Sequence, residues 1–425
     1  MAFVPSDATT LWTRSFLFNC LANLLAFTGM YYIMATLPLY TTEVLGKGNG
    51  DVGLLFGAFA LAGVLARPLA GRLLDASGRM KTAWFSLLLL FFAMAAYSWT
   101  TFFTALLALR IFHGICWGFA TTSLATIATD VIPAKQRGEG IGYFGLSMSL
   151  AMLLGPWLGL SVLQQFGYPF LFAAGTALAA LSACCLFGIR FRVAPAASEQ
   201  RNKRWLEKSV LAYAAIVFFM AFNYSAVLSF IVLFAQELQI ENASLFFLAN
   251  AVGVIASRPY AGKMLDRQGP ILIMCIGFAS FFATFVCLFF TQELCFFLLA
   301  ALLLGIGFGI LYSLAFALSI NQVDASRRGS VNGTLLTAFD LGFALGALLL
   351  GQLSALIGLR AMYLCCALLT VLPFAVFYKK HMQKKAADSI ACEADSVEWA
   401  GGTHFKALPP ANSRVIIQPV ATETN

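Results

Sequence analysis

Between residues 14 and 380 the chain is a near-continuous succession of apolar runs, each closed by a short polar break. An α-helix rising 1.5 Å per residue needs about 20 apolar residues to cross a bilayer's hydrocarbon core. Twelve runs of that kind can be read, beginning near Arg14, Asp51, Lys81, Phe103, Gly138, Tyr168, Ser209, Ala243, Ile271, Leu294, Gly329 and Arg360. Hydrophobic residues make up 60% of the chain and charged residues 11%. Soluble domains carry about 25% charged residues, so a soluble fold would have too little polar surface to face water. The expected class is an all-α integral membrane protein. The first run, from about Ser15 to Tyr40, is too long for the core of a secretory signal and no small-residue cleavage site follows it, so it reads as a retained span.

The breaks alternate in charge. Arg72, Arg79 and Lys81, then Lys135 and Arg137, then the stretch Arg190 to Lys208, then Lys263 and Arg267, then Arg327 and Arg328 fall in every second break. The intervening breaks, near Lys47, Trp99, Gln164, Glu241, Glu293 and Arg360, hold almost no Lys or Arg. Lys and Arg collect in cytoplasmic loops, so the first set is expected inside, with both termini on that side. The net charge of +8 is then a loop property, and a nucleic-acid partner is not expected. Most of the ten cysteines lie inside apolar runs and none forms a CxxC pair, so neither a disulfide framework nor a metal site is implied. The expected organisation is an N-terminal segment (1–13), a six-span bundle (14–191), a cytoplasmic linker (192–208), a second bundle (209–380) and a disordered cytoplasmic tail (381–425), since the chain turns polar and aperiodic beyond Lys379.

The two bundles are copies. Arg67-Pro68-Leu69-Ala70-Gly71-Arg72-Leu73-Leu74-Asp75, followed by Gly78, matches Arg258-Pro259-Tyr260-Ala261-Gly262-Lys263-Met264-Leu265-Asp266, followed by Gly269. The offset of 191 residues also aligns Gly114 with Gly305, Gly118 with Gly309, Arg137 with Arg328, Gly155 with Gly346 and Gly167 with Gly358. A gap-free register of this length means duplication of a six-span unit. Parallel repeats pack about an axis along the membrane normal and leave a cavity between them near the midplane.

The sequence GRLLDASGRMK, from Gly71 through Asp75, Gly78 and Arg79, lies between the second and third spans. It resembles the GxLaDrxGrk loop of the major facilitator superfamily, and Gly262, Asp266 and Gly269 sit in the second copy, GKMLDRQG. Gly71 and Gly78 permit a tight turn, and Asp75 can cap a helix N-terminus or pair with Arg79. The resemblance implies that these loops latch and release during a conformational switch. Arg110-Ile111-Phe112-His113-Gly114 in the fourth span resembles the family's RxxqG motif, with His113 in place of Gln. The resemblance implies a part in proton coupling for Arg110, while its alternative is a packing role in which it bonds carbonyls. His113 can titrate near neutral pH or serve as a fixed hydrogen-bonding group. Gly155, Pro156 and Gly159 resemble the gxxxGPxxG motif of the antiporter branches, with Ala151 for the first Gly and Leu160 where a second often follows.

Asp340, in the eleventh span, is the clearest intramembrane acid, on a face with Gly333, Thr337 and Ala344. An acid at such depth is a functional-site hypothesis, and its alternative is a carboxylate locked to a neighbouring helix or to Arg110. The repeat aligns Asp340 with Ser149, an asymmetry that suggests specialisation. Asn23, Tyr31 and Tyr32 in the first span, Trp117 in the fourth, and Asn223 and Tyr224 in the seventh are candidate substrate-cavity residues, because these spans line the cavity in the family.

The expected fold is the twelve-helix major facilitator fold. The expected function is alternating-access, proton-coupled export of a small organic molecule across the cytoplasmic membrane of a bacterium, by a monomer without metal or cofactor. A weakly charged cavity favours a neutral, cationic or amphipathic substrate over a polyanion. The rivals are an importing symporter or facilitator and a non-transporting receptor on the same scaffold. An enzyme is not expected, since no HExxH, GxSxG or paired-carboxylate motif occurs.

Overall fold

The computed structural model describes residues 10–133, 136–190, 208–320, 322–323 and 327–400. Ten helices carry the described chain: α1 (Arg14–Leu39), α2 (Asn49–Ser77), α3 (Arg79–Ala96), α4 (Phe103–Val131), α5 (Arg137–Cys185), α6 (Leu211–Glu237), α7 (Ser244–Gln268), α8 (Pro270–Phe290), α9 (Leu294–Ile320) and α10 (Arg328–Ala400). Among the described residues nine helices are long and apolar enough to cross a membrane. The spanning parts of α5 and α10 run Glu139–Gly188 and Gly333–Lys379, 50 and 47 residues. At 1.5 Å per residue each would reach about 70 Å, twice the hydrocarbon thickness. Each is broken once, at Gly167 (φ 74°) and Gly358 (φ 85°), where only glycine adopts positive φ without steric cost. Each is therefore two antiparallel arms. With α7, whose shorter apolar stretch is Ser244–Arg258, the segments number twelve. They begin within about three residues of the positions read from the apolar runs.

The duplication is written into the backbone. Gly78 and Gly269, 191 residues apart, both take positive φ (89° and 76°) and turn α2 into α3 and α7 into α8. Gly167 and Gly358 form the second pair at that spacing. α10 is helical to Ala400. The segment KKHMQKKAADSIACEADSVEWA contains no Gly or Pro and is rich in Ala and Lys, both good helix formers. Residues 1–9, 191–207 and 401–425, which include most of the N-terminal segment, the linker and the rest of the tail, lie outside the described residues.

Within the first half, α1 lies along the first arm of α5. A Cβ built on Gly155 would sit 2.8 Å from the Thr28 carbonyl, and one on Gly159 2.6 Å from the Tyr32 carbonyl. The Gly155-Pro156-Gly159 segment thus lets the two backbones touch, which is the means by which membrane helices gain dispersion contacts where lipid supplies no hydrophobic drive. The halves meet along α1 with α6, α5 with α7 and α2 with the first arm of α10.

Candidate functional site

Asp340 lies twelve residues into α10 and Arg67 ten residues before the end of α2. Both are therefore about 15 to 18 Å along the helix from its nearer end, within the candidate spans Asn49–Leu74 and Gly333–Lys379. Arg67 Nη2 approaches Asp340 Oδ2 at 2.9 Å across the boundary between the halves, with side chains 32% and 21% exposed. Asp340 Oδ2 has no aligned hydrogen bond, so the contact is one of charge at close range rather than a directed N–H···O bond. The repeat supplies its counterpart. Arg258 in α7 aligns with Arg67, Ser149 in α5 aligns with Asp340, and Arg258 Nη1 donates to Ser149 Oγ at 3.1 Å. A two-fold relation between halves turns one cross-boundary contact into two. Here one is ionic and the other ends on a hydroxyl. The Nε atoms of both arginines are buried without a hydrogen-bond partner.

Two tyrosines lie near these pairs and a third, Tyr224, adjoins Tyr31. Tyr312, in α9, lies within electrostatic range of Asp340, Arg258 and Arg67. Tyr31, in α1, lies within range of Tyr312 and Asp340. Tyr224, in α6, donates to Met152 Sδ at 3.5 Å across the boundary and accepts from Asn250 Nδ2 at 3.5 Å. Phe308 stacks on Tyr224 and Tyr312 with ring centroids 4.5 and 5.5 Å apart, and Phe339 meets Tyr312 edge-on at 5.7 Å. The centre of the molecule is thus a charged, hydroxyl-bearing patch with an aromatic wall.

Arg110 and His113 come together, but elsewhere. Arg110 is wholly buried inside the first half. Its Nε donates to the Leu55 carbonyl at 3.3 Å and its Nη1 to Tyr97 Oη at 3.3 Å. Its guanidinium lies over Phe59 at 4.1 Å and Phe56 at 5.3 Å, so aromatic faces offset much of its lost hydration. Tyr97 Oη meets His113 Nδ1 at 2.9 Å. The pair joins α2 to α4 and makes no described contact with Asp340; the carboxylate's cation is Arg67. Trp117 packs beside it, its ring 4.6 Å from Phe27.

The candidate cavity residues divide. Tyr31 and Tyr224 face the boundary between halves. Asn23 donates to Ser147 Oγ at 2.8 Å, and Asn223 donates to the Cys366 carbonyl and Thr370 Oγ1 at 3.0 and 3.1 Å. Both asparagines fasten helices within one half. Tyr32 packs against Gly155, Gly159 and Gly175 inside the first half. Of the loop residues, Gly71 is helical and Gly78 forms the turn, while Arg79 reaches Asp130 Oδ2 at 3.1 Å and the Leu74 carbonyl at 3.1 Å. The side chains of Asp75 and Asp266, and the surroundings of Gly262, lie outside what the structure describes.

Arg67, Arg258, Tyr312 and Asn250 were not singled out from the sequence as site residues. The repeat carried the signal for the first two: once Asp340 is aligned with Ser149 and Arg67 with Arg258, a two-fold axis predicts both cross-boundary pairs together.

At the Gly167/Gly358 end the halves are tied. Gln236 Nε2 donates to Glu43 Oε1 at 2.7 Å, Tyr168 Oη donates to Glu43 Oε2 at 2.9 Å, and Gln352 Nε2 reaches the Gly50 carbonyl at 3.4 Å. Gly53 and Gly351 let α2 and α10 approach so closely that a Cβ on Gly53 would lie 2.8 Å from Gly351 Cα.

The sequence profile of the Major Facilitator Superfamily matches residues 20–241 and again 213–411. The staphylopine export protein of Staphylococcus aureus is 26% identical over 364 residues, 81% of this chain and 91% of that one. The multidrug resistance protein MdtG of Citrobacter koseri is 24% identical over 412 residues, 92% of this chain and 100% of that one. Among solved structures, the nucleoside transporter NupG superposes with a TM-score of 0.70 at 14% identity, covering 86% of this chain and 99% of its own.

Proposed function

From the premise that this chain belongs to the Major Facilitator Superfamily, we propose that it exports a small organic molecule in exchange for protons by alternating access across a bacterial cytoplasmic membrane. It is a multi-pass membrane transporter by family. The export direction draws on relatives named for export and multidrug resistance and on the Gly155-Pro156-Gly159 segment. Both termini face the cytoplasm by the distribution of Lys and Arg, and the monomer is the working unit.

The observation that carries the proton coupling is the ion pair of Arg67 with Asp340. It is a titratable carboxylate, deep in the span, whose cation belongs to the other half. Protonation removes the charge that holds Arg67 and loosens the tie between halves. Loss of the proton restores it. A substrate whose binding depends on the ionised carboxylate would alternate with the proton, which is the requirement of exchange. The glycine turns at Gly78 and Gly269, with Asp75, Arg79 and Asp266, serve as the loops that remake their contacts when the halves rock. The Arg110–Tyr97–His113 network holds α2 to α4 so that motion at Arg67 is passed on as rigid-body motion.

A second reading, import by symport or facilitated diffusion, draws on the likeness to a nucleoside transporter. Everted membrane vesicles with an acid lumen separate the two. Exchange predicts that candidate compounds added outside are accumulated and that lumenal protons are released, read as recovery of acridine orange fluorescence. Compounds that run down their own gradient while protons stay in place would reject exchange.

A further inference from the structure

Resting on the exchange reading, we infer that the substrate is an organic zwitterion, with an acid group that docks on Arg258 and a protonated amine that docks on Asp340. Arg258 is the starting point. Among the described residues its side chain has one partner, Ser149 Oγ at 3.1 Å, and no carboxylate, and its Nε is buried without a hydrogen bond. A guanidinium partly withdrawn from water carries a solvation cost that a hydroxyl offsets only in part. Arg67, by contrast, has Asp340. Among the described residues the centre therefore holds two guanidinium charges and one carboxylate, with Tyr31 and Tyr312 within electrostatic range of them.

Two alternatives fail on charge. A substrate bearing only a cation would bring a third positive charge beside an Arg258 that has no carboxylate among the described residues to oppose it. A substrate bearing only an anion would do the opposite of what exchange needs, since its charge would favour a proton on Asp340 rather than expel it. A molecule with both groups meets each condition. Its acid takes the open fork of Arg258, with donors from Ser149 and Tyr312 within the same patch. Its ammonium takes the Asp340 carboxylate and so excludes the proton. The aromatic wall of Phe308 and Phe339 stands beside this patch for the apolar remainder. This narrows the neutral, cationic or amphipathic substrate that the weakly charged sequence suggests, because the sequence does not show that Arg258 has no acid partner among the described residues.

The test uses everted vesicles carrying the full chain, energised acid-inside and given a cytosolic small-molecule extract, with accumulated compounds identified by mass spectrometry. Accumulation of molecules having both an acid and an amine is expected. That accumulation should fall about tenfold in Arg258→Gln, equivalent to about 1.4 kcal/mol, and be largely retained in Arg258→Lys. A measurement on the wild type stands apart from any folding defect: the methyl ester of an accumulated compound, which keeps the amine and removes the anion, should compete about tenfold less well than the parent. Accumulation confined to compounds without an acid group, or equal competition by ester and parent, overturns the zwitterion assignment and leaves export standing. Absence of gradient-driven accumulation of any compound by the wild type overturns exchange itself, and this assignment with it.

Discussion

Arg258 meets Ser149 at 3.1 Å in the place where, one repeat earlier, Arg67 meets Asp340 at 2.9 Å. The geometry is shared by both halves, while the charge on one partner is not. A duplicated scaffold has thus kept two equivalent ties between its halves and made only one of them titratable.

Ser149→Asp should give Arg258 a carboxylate and tie the halves at both sites. Transport should slow while the protein in detergent unfolds at a higher temperature. An unchanged turnover rate would show that the second contact does not limit the motion.

Asp340→Asn should abolish proton-driven transport and leave the protein folded. Loss of the ion pair, partly open to solvent, is expected to cost about 1 to 2 kcal/mol. The paired exchange Arg67→Asp with Asp340→Arg should recover the stability, read by thermal unfolding. Undiminished gradient-driven flux in Asp340→Asn would remove this acid from the coupling.

Tyr97→Phe deletes the hydroxyl shared by Arg110 and His113 and leaves a buried guanidinium N–H unpaired, at a cost of about 1 to 3 kcal/mol. His113→Gln, the residue usual at this point of the motif, should be tolerated better than His113→Ala, since the amide can still bond to Tyr97. Equal thermal stability for all three variants would contradict a bonded network between α4 and the Tyr97 turn that follows α3.

Gly155→Ala places a methyl group 2.6 Å from Tyr31 Cβ and 2.8 Å from the Thr28 carbonyl, a side-chain root and a backbone atom of α1 that cannot move without the helix. The α1–α5 contact must open, and a destabilisation of about 1 to 3 kcal/mol is expected. Unaltered thermal unfolding would mean the two helices are not in contact along this face.

The halves, the span starts and the turns were legible because each rests on local chemistry. Length of apolar run sets a span, and Gly78, Gly167, Gly269 and Gly358 supply the backbone freedom each turn requires. The partners of buried polar groups were less legible. Asn23 and Asn223 look alike on their spans with Tyr31 and Tyr224, yet the asparagines bond within their halves and the tyrosines face the boundary. A rotation of about 100° separates Asn223 from Tyr224 and one of about 80° separates Asn23 from Tyr31, and with weak amphipathicity in a span surrounded by lipid and helices, polarity does not mark which way the side chain turns.

Hydrophobic run length, loop charge and an internal repeat, all properties of neighbouring residues or of a fixed offset, were sufficient for the sequence by itself to determine a duplicated membrane bundle and to single out Asp340 as its deep acid. Only the tertiary structure decided that Arg67 rather than Arg110 is that acid's cation, and that Arg258 has a hydroxyl where its twin has a charge. Those pairings join residues 109 to 273 positions apart. They depend on how two six-helix halves are set against each other, which no local pattern encodes.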